Sequence, residues 1–261
     1  MNNINPFKQG LKEGRVQLGT WIMLTRTASV LTLLKSVGLD YARLDMEHTP
    51  VSLETVANMA SLARALDFGL CVRVPEGHRV WFSRVLDAGV RNLYVPQIHN
   101  AKMAAAVVES ARFAPMGNRG TFEPGPHNDY EDDPQDLVKL DEQIHISVML
   151  ESKEAFANIE EIASVPGIDT LAIGPADLAQ ELGVYGTPDE WKHMEDYKYR
   201  IREAALKHGK TFEMGAWSPD DAKRWLEAGV HVLTYLTETT ILREAYAQAV
   251  KFKDEVVENL Q

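Results

Sequence analysis

Two acidic residues, Glu151 and Asp177, stand at the ends of consecutive apolar runs that have the composition of β-strands. Neighbouring strands lie roughly 5 Å apart, so carboxylates at adjacent strand ends repel each other unless one is protonated or a cation lies between them. Two carboxylates, completed by water and substrate oxygens, describe a Mg²⁺ or Mn²⁺ site. The pair therefore predicts a divalent-metal site, unless the two side chains point apart and each caps its own helix.

The second of these runs turns directly into a helical pattern at Gly174-Pro175-Ala176-Asp177. The first N–H groups of a helix have no partners within the helix, so such a turn suits an anionic group of a ligand. For this motif taken alone, the alternative is a tight strand-to-helix turn in which Asp177 is the helix cap.

Three ionisable residues end an earlier strand candidate, in the segment Asp45-Met46-Glu47-His48. His48 is the candidate general base, because histidine is the side chain that most readily changes protonation near neutral pH. A solvated loop in which Asp45 acts as a cap is the alternative.

Arg73 lies inside the apolar run Cys71-Val72-Arg73-Val74, where a cation is disfavoured unless it meets an anion. Its planar fork fits a carboxylate in a bidentate pair, which is either part of a substrate or an interior aspartate. Together these groups describe a site for a 2-oxo acid. A metal would polarise the ketone oxygen, Arg73 and the amides near Ala176 would hold the carboxylate, and His48 would move a proton. Such a site supports enolate formation and the making or breaking of carbon–carbon bonds.

The elements that must position these residues follow from an alternation of short β-rich runs with amphipathic segments. Eight runs are predicted to be strands: 17–23, 41–46, 70–74, 92–97, 146–151, 170–173, 211–214 and 231–236. Helical patterns cover 51–66, 101–113, 153–163 and 219–228, and a closing helix is predicted at 239–260. This order favours one (β/α)₈ barrel domain over residues 1–261. A doubly wound open sheet is the alternative, but no G-x-G-x-x-G follows the first strand.

Two connections are longer than the rest. Residues 115–143 are rich in Gly, Pro, Asn and Asp, and residues 183–197 form a polar excursion that leads into a helix ending near His208. In a compact domain, connections of this length are usually functional or oligomeric.

Composition argues against several classes of function. The 27 basic and 38 acidic residues give a net charge of −11, which disfavours nucleic acid and an anionic membrane surface as partners. Cys71 is the lone cysteine, so neither an internal disulfide nor a cysteine-cluster metal site is expected. The first seven residues contain no apolar signal region and no apolar run has membrane-spanning length, which predicts a soluble cytoplasmic protein.

The motifs taken together resemble the HpcH/HpaI family of class II pyruvate aldolases. This family includes 4-hydroxy-2-oxoheptanedioate and 2-dehydro-3-deoxyglucarate aldolases. The resemblance runs over nearly the full length, and it is carried by Asp45-x-Glu47-His48, Arg73, Leu86-Asp87-Ala88-Gly89, Val95-Pro96-Gln97, Gly117-Asn118-Arg119-Gly120, Glu151 and Ile173-Gly174-Pro175-Ala176-Asp177-Leu178.

The resemblance implies a metal site and a catalytic base. Glu151 and Asp177 would bind a divalent cation (Mg²⁺, Mn²⁺ or Co²⁺). His48 would be the base, and Asp87 would be the acid that raises its basicity.

The resemblance also implies how the substrates, a small 2-oxo acid and an aldehyde, are bound. Arg73 would stabilise the pyruvate enolate and the amide of Ala176 would help to hold the substrate, in a site that includes Trp21, Met149 and Pro175. Family members are (β/α)₈ barrels that exchange their final helix with a neighbour, so a homo-oligomer, hexameric or trimeric, is expected.

Three positions depart from the pattern that is usual in the family. Met149 replaces a glutamine that contacts substrate, Thr121-Phe122 stand where small residues are usual, and Leu236-Thr237-Glu238 replaces Gly-x-Asp. All three are expected near the substrate. A pocket that loses a polar partner and gains apolar surface is predicted to favour a less polar donor or acceptor.

Two alternatives stay open beside an aldolase of 4-hydroxy-2-oxo acids. One is a divergent enzyme that uses the enolate of another oxo acid for decarboxylation or proton exchange. The other is a non-catalytic barrel used for ligand binding or assembly, against which the intact set of site residues argues.

Overall fold

The structure, a computed structural model, describes residues 4–122, 124–131 and 137–260 and contains a closed barrel of eight parallel strands. The strands β1 to β8 are Gln17–Ile22, Tyr41–Asp45, Gly69–Arg73, Asn92–Val95, His145–Leu150, Thr170–Ile173, Thr211–Gly215 and Val232–Thr237. Each strand pairs with the next along the chain, and β8 closes the barrel on β1. The predicted (β/α)₈ barrel is confirmed, and the open-sheet alternative is excluded.

Helices follow the strands around the outside of the barrel. In the described residues, helices α1 to α12 are Pro6–Lys12, Val30–Ser36, Leu53–Ala65, Arg79–Asp87, Ala101–Ala111, Leu137–Gln143, Lys153–Ala157, Ile159–Ser164, Pro175–Leu182, Glu190–Lys207, Pro219–Glu227 and Glu238–Leu260. Within this set, no helix is both long enough and apolar enough to cross a bilayer.

Two helical predictions need correction. The pattern at 153–163 forms two helices, α7 and α8, because the backbone leaves the helical region at Asn158, with φ −107° and ψ 13°. The excursion predicted at 183–197 is partly helical, since α10 already begins at Glu190.

Polar caps start several helices just after the strands have ended. The side chains of Ser52, Asn100, Ser152 and Ser218 each accept the backbone N–H three residues further on. Each cap satisfies an N–H group that the helix itself leaves without a partner. The chain therefore leaves each of these strands through a short loop, and such loops position the side chains at the carboxyl ends of the strands.

Alternation along the strands divides the apolar core into two parts. One side of each strand packs against the surrounding helices, as Leu44 and Val72 do. The opposite side fills the barrel with a smaller cluster that includes Tyr41, Tyr94 and Met149. Side chains along a strand alternate with a period of two. A residue two positions beyond an inward-facing one, such as Glu151 after Met149, therefore also faces the barrel axis.

Helix α1 closes the amino-terminal end of the barrel, a feature that the sequence pattern did not indicate. The Phe7 ring makes edge contacts with Tyr41 and His145, with ring centroids 5.0 and 5.1 Å apart. The Asn5 side chain donates a 2.7 Å hydrogen bond to the side-chain oxygen of Asn92 on β4. With this end plugged, access to the interior is from the carboxyl ends of the strands.

Candidate active site

A cavity of about 760 Å³ opens at the carboxyl ends of the strands, the place where barrel enzymes have their sites. The predicted site residues that line it are Trp21, His48, Arg73, Met149, Glu151, Pro175, Ala176 and Asp177. Asp87 is the predicted site residue that the described structure places outside this lining.

Glu151 and Asp177 lie close enough for the Asp177 carboxylate to raise the pKa of Glu151. Glu151 is only 4% exposed, and its Oε1 accepts the backbone N–H of Gln97 at 2.7 Å. Burial, together with the neighbouring carboxylate of Asp177, raises the pKa of Glu151 well above its usual range, although the Gln97 hydrogen bond acts in the opposite direction. Asp177 is not the helix cap, since Gly174 occupies that position. The two carboxylates thus converge, as the metal prediction requires.

The absence of a side chain at Gly174 makes room for Glu151. A Cβ atom at Gly174 would lie 2.2 Å from Oε2 of Glu151 and 2.9 Å from Sδ of Met149, both closer than real contacts allow. The glycine of the Gly174-Pro175 turn is therefore explained by close approach of a neighbouring side chain.

The acidic pair has the donor chemistry of an open site for a hard divalent cation. Within the described residues, no group of three or more His, Cys, Asp or Glu side chains is arranged to hold a metal. A closed structural zinc site is therefore not formed there. Two carboxylate ligands leave several coordination positions to water and substrate oxygens, which is an arrangement that suits Mg²⁺ and Mn²⁺.

Arg73 pairs with an interior aspartate, which is one of the two partners that the sequence left open. Its Nε and Nη2 atoms donate to the two oxygens of Asp45 at 2.9 and 2.7 Å. Burial acts to lower the pKa of Arg73, but the pairing with Asp45 outweighs it and raises the value. Asp45 also accepts the backbone N–H groups of Glu47 and His48 at 2.9 and 3.3 Å, so one buried carboxylate holds both Arg73 and the loop that carries His48.

Glu47 lies between the arginine and the histidine. Its Oε2 is 3.2 Å from Nη1 of Arg73 and 3.5 Å from Nε2 of His48. Burial raises the pKa of Glu47 above its usual value, although Arg73 and His48 act to lower it. The sequence placed Glu47 in the cluster without a role, and the structure makes it the carboxylate that faces His48 within the chain.

Trp21 packs on the same arginine from the barrel side. The guanidinium carbon of Arg73 lies 4.5 Å from the centroid of the Trp21 ring, within the range of a cation–π contact. Bidentate pairing and stacking together fix the orientation of Arg73 at the cavity wall.

Asp87 is not brought to His48 within one chain. It is the last residue of α4, whose end leads into the amino terminus of β4, so it lies towards the opposite end of the barrel from the cavity. Its carboxylate accepts a 2.7 Å hydrogen bond from Nη2 of Arg119. A contact between Asp87 and His48 would therefore need a second copy of the chain.

The departures from the family pattern lie in different places. Met149 is buried and lines the cavity, and Leu236 and Thr237 line it too. Phe122 does not belong to the described lining. Its ring is half exposed and its centroid lies 4.5 Å from that of His127, so its place near the substrate stays a prediction.

A second buried ion pair below the site was missed. Arg43 on β2 donates through both Nη atoms to the Glu213 carboxylate on β7, and its guanidinium carbon lies 4.0 Å from the Tyr94 ring centroid. Glu213 also lines the cavity. An arginine two residues before Asp45, inside an apolar run, is the signal that would have revealed this pair.

A model of the HpcH/HpaI aldolase/citrate lyase family matches residues 17–245. This chain belongs to that family. A 4-hydroxy-2-oxo-heptane-1,7-dioate aldolase from Shigella sonnei is 33% identical to it over 95% of each chain. A 2-keto-3-deoxy-L-rhamnonate aldolase from Salmonella gallinarum is 31% identical over 92% of this chain and 90% of that one.

Superposition on solved structures also matches this chain to a member of the HpcH/HpaI family. The crystal structure of an HpcH/HpaI aldolase/citrate lyase family protein from Burkholderia cenocepacia has a TM-score of 0.85 at 30% identity, and the match covers 96% of this chain and 99% of that one. With aldolase relatives aligned over almost the whole chain, the protein is an enzyme of the lyase type.

Proposed function

We propose that the protein is a divalent-metal-dependent class II aldolase that forms or cleaves 4-hydroxy-2-oxo acids through a pyruvate-type enolate. The observation that carries this proposal is the convergence of Glu151, Asp177, Arg73 and His48 on one cavity. The two relatives are aldolases named for a 2-oxo and a 2-keto acid, which supports the same substrate class.

Glu151 and Asp177 would hold the cation, as Mg²⁺, Mn²⁺ or Co²⁺. When bound, such a cation supplies Lewis acidity towards the carbonyl oxygen of the substrate. The buried Glu151 carboxylate and the exposed Asp177 carboxylate beside it support this assignment, because a cation between them removes the repulsion between two adjacent negative charges.

Arg73 and the first turn of α9 would hold the oxo acid. Asp45 engages Nε and Nη2 of Arg73, and Oε2 of Glu47 lies 3.2 Å from Nη1, so the enolate or carboxylate oxygens of the substrate would share Nη1 with Glu47. The N–H of Ala176 lies in the first turn of the helix, where donors lack partners within the helix and anions are favoured.

His48 would move the proton. In the cleavage direction it accepts the proton of the C4 hydroxyl while the C3–C4 bond breaks. The aldehyde leaves, and the electron pair of the broken bond remains with the pyruvate enolate. The same proton can then be returned to C3 to give pyruvate. His48 lines the cavity with a side chain that is 56% exposed, which leaves it free to reach a substrate.

The test is a screen of 4-hydroxy-2-oxo acids, in which pyruvate release is followed with and without Mn²⁺, Mg²⁺ or Co²⁺. We expect metal-stimulated release with the wild-type protein, and His48→Ala to lower turnover by roughly 10²–10⁴-fold while metal affinity is kept. If none of these acids released pyruvate with any of the metals, the proposal would be wrong.

We also propose that the protein is a homo-oligomer in which α12 packs on a neighbouring chain. No residue of α12 that the structure describes is buried, although the helix carries Ile241, Tyr246, Val250, Phe252, Val256, Val257 and Leu260. At about 100° per residue these side chains fall on one half of the helix surface. An apolar face of this length is unfavourable in water and fits an interface with another chain.

The role of Asp87 belongs to the same proposal. Because Asp87 lies far from His48 within one chain, it would raise the basicity of His48 only from a neighbouring subunit. Mixed oligomers of His48→Ala and Asp87→Asn chains test this directly. Each variant alone should be impaired, and mixing should restore activity at sites that combine His48 of one chain with Asp87 of the other. No gain on mixing would remove Asp87 from the active site.

A further inference from the structure

The outer end of the cavity is lined by a different kind of side chain from its deep end. Trp191 and Trp217 line the same cavity as Glu151, but they are 64% and 58% exposed, whereas Glu151 is 4% exposed. The charged groups that would act on the oxo acid are therefore deep, and two large aromatic rings stand at the entrance.

Helix α10 forms one wall from the entrance inwards. Trp191, Met194 and Lys198 line the cavity and are spaced at i, i+3 and i+7, which puts them on one face of the helix. Met194 is buried, so the wall is aromatic at the entrance, where Trp191 lies, and aliphatic further in. This wall belongs to the long connection that the sequence marked as functional or oligomeric.

The end of β7 sets the position of the opposite ring. Trp217 packs back onto Gly215, where an added Cβ atom would lie 3.0 Å from Cζ2 of the indole. Gly215 itself lines the cavity. The ring thus rests on backbone that carries no side chain, which holds it against the barrel end rather than loose in solvent.

Lys198 and Arg73 are the lysine and the arginine of the described lining, and both are already paired with carboxylates. Lys198 lies 3.7 Å from Glu195, and Glu190 adds another acidic side chain to the lining. Deeper in the cavity, Arg73 is engaged by Asp45 and Glu47. In the described part of the lining, a carboxylate on an incoming aldehyde would meet no unpaired lysine or arginine.

We propose that Trp191 and Trp217 form the subsite for the aldehyde and select acceptors with an uncharged apolar or aromatic body. This inference rests on the proposed function, because it assigns the acceptor half of the same cavity. Stacking on either ring and burial against Met194 favour such an acceptor, while the carboxylate of Glu190 in the lining disfavours one that bears a negative charge.

The test compares acceptors with pyruvate as donor and Mn²⁺ present. In each reaction, C3 of pyruvate loses a proton and bonds to the aldehyde carbon, and the aldehyde oxygen gains a proton. We expect kcat/KM for benzaldehyde to exceed those for succinic semialdehyde and glycolaldehyde. Trp191→Ala and Trp217→Ala should each lower the benzaldehyde-to-glycolaldehyde ratio of kcat/KM by roughly 2–13-fold, the scale of one aromatic contact, mainly through KM.

Two further variants sharpen the comparison. Gly215→Ala should change the ratio in the same direction as Trp217→Ala, because the added methyl pushes the indole away while the ring is kept. Tyr185→Ala is the matched control, since Tyr185 is an exposed aromatic residue on the same connection but outside the described lining. It should leave the ratio unchanged.

The possible results distinguish a failure of the proposed aldehyde subsite from a failure of the proposed reaction. Exchange of the pyruvate methyl protons with deuterium requires enolate formation but no aldehyde. Without metal-dependent exchange in the wild-type protein, the proposed function and this inference both fail. With exchange intact, a wild-type preference for succinic semialdehyde, or an unchanged ratio in Trp191→Ala, Trp217→Ala and Gly215→Ala, overturns the aromatic subsite alone.

Discussion

At the scale of the residue, side-chain type and place along a strand predicted much of the candidate site. Glu151 and Arg73 were recognised because charged side chains are costly at the end of, or inside, an apolar run, and both line the cavity. The same reasoning would have found Arg43, which was passed over. The location of Asp87 was not predictable in this way, because a residue at the end of a helix has its neighbours set by packing and assembly.

The first prediction concerns Glu47, the carboxylate that lies 3.5 Å from His48. Glu47→Gln should lower kcat, because the carboxylate that lies 3.5 Å from Nε2 of His48 and 3.2 Å from Nη1 of Arg73 loses its charge and no longer holds the two groups as an ion pair. The measurement is kcat at a fixed neutral pH, with the exposed Glu54→Gln as control. An unchanged kcat would show that Glu47 does not influence the base.

The second prediction concerns Met149, which is buried in the cavity wall where the family pattern has glutamine. Met149→Gln should favour pyruvate over 2-oxobutyrate by roughly 2–13-fold in kcat/KM, because one neutral hydrogen bond contributes about 0.5–1.5 kcal/mol. The ratio is measured with a common aldehyde in both proteins. An unchanged ratio would mean that Met149 does not contact the donor.

At the scale of the element, hydrophobic patterning was sufficient for the strands. All eight predicted runs overlap the observed strands, because buried parallel strands carry short β-branched and apolar runs between turn signals. The break at Asn158 and the early start of α10 were missed, since an amphipathic pattern does not reveal a local change of backbone angles. Helix α1 was missed because it is short and its burial depends on the barrel that it closes.

The third prediction concerns the turn from β6 into α9. Gly174→Ala should weaken Mn²⁺ binding by at least about tenfold, because the new methyl group occupies the space of the Glu151 carboxylate. Gly77→Ala is the control, since a Cβ atom there makes only ordinary contacts, the nearest at 3.5 Å. Titration calorimetry of both variants decides the matter, and equal Mn²⁺ affinities would show that Glu151 is not a ligand.

At the scale of the whole molecule, one chain leaves two features without partners. The apolar face of α12 has no buried residue in the described structure, and Asp87 lies far from the base that it is proposed to assist. Both features are explained if neighbouring chains pack through α12 and supply Asp87. Sequence periodicity indicated the helix, whereas the expectation of assembly came from the resemblance to the family.

The fourth prediction tests the assembly through α12. Phe252→Asp combined with Val256→Asp should convert the protein to a smaller species, because two buried charges would replace apolar contacts at the interface. Light scattering after size-exclusion chromatography measures the mass, and Lys251→Asp on the charged side of the helix is the control. A wild-type protein that elutes as a monomer would contradict the proposal.

The central claim is that Glu151 and Asp177 hold a divalent cation which is needed for enolate formation. Its most direct test is the exchange of the pyruvate methyl protons with deuterium, followed by NMR. The account predicts exchange in the wild-type protein with Mn²⁺, loss of exchange after chelation, and little exchange in Glu151→Gln and Asp177→Asn at the same metal concentration. Undiminished exchange in the chelated protein, or in either variant, would contradict it.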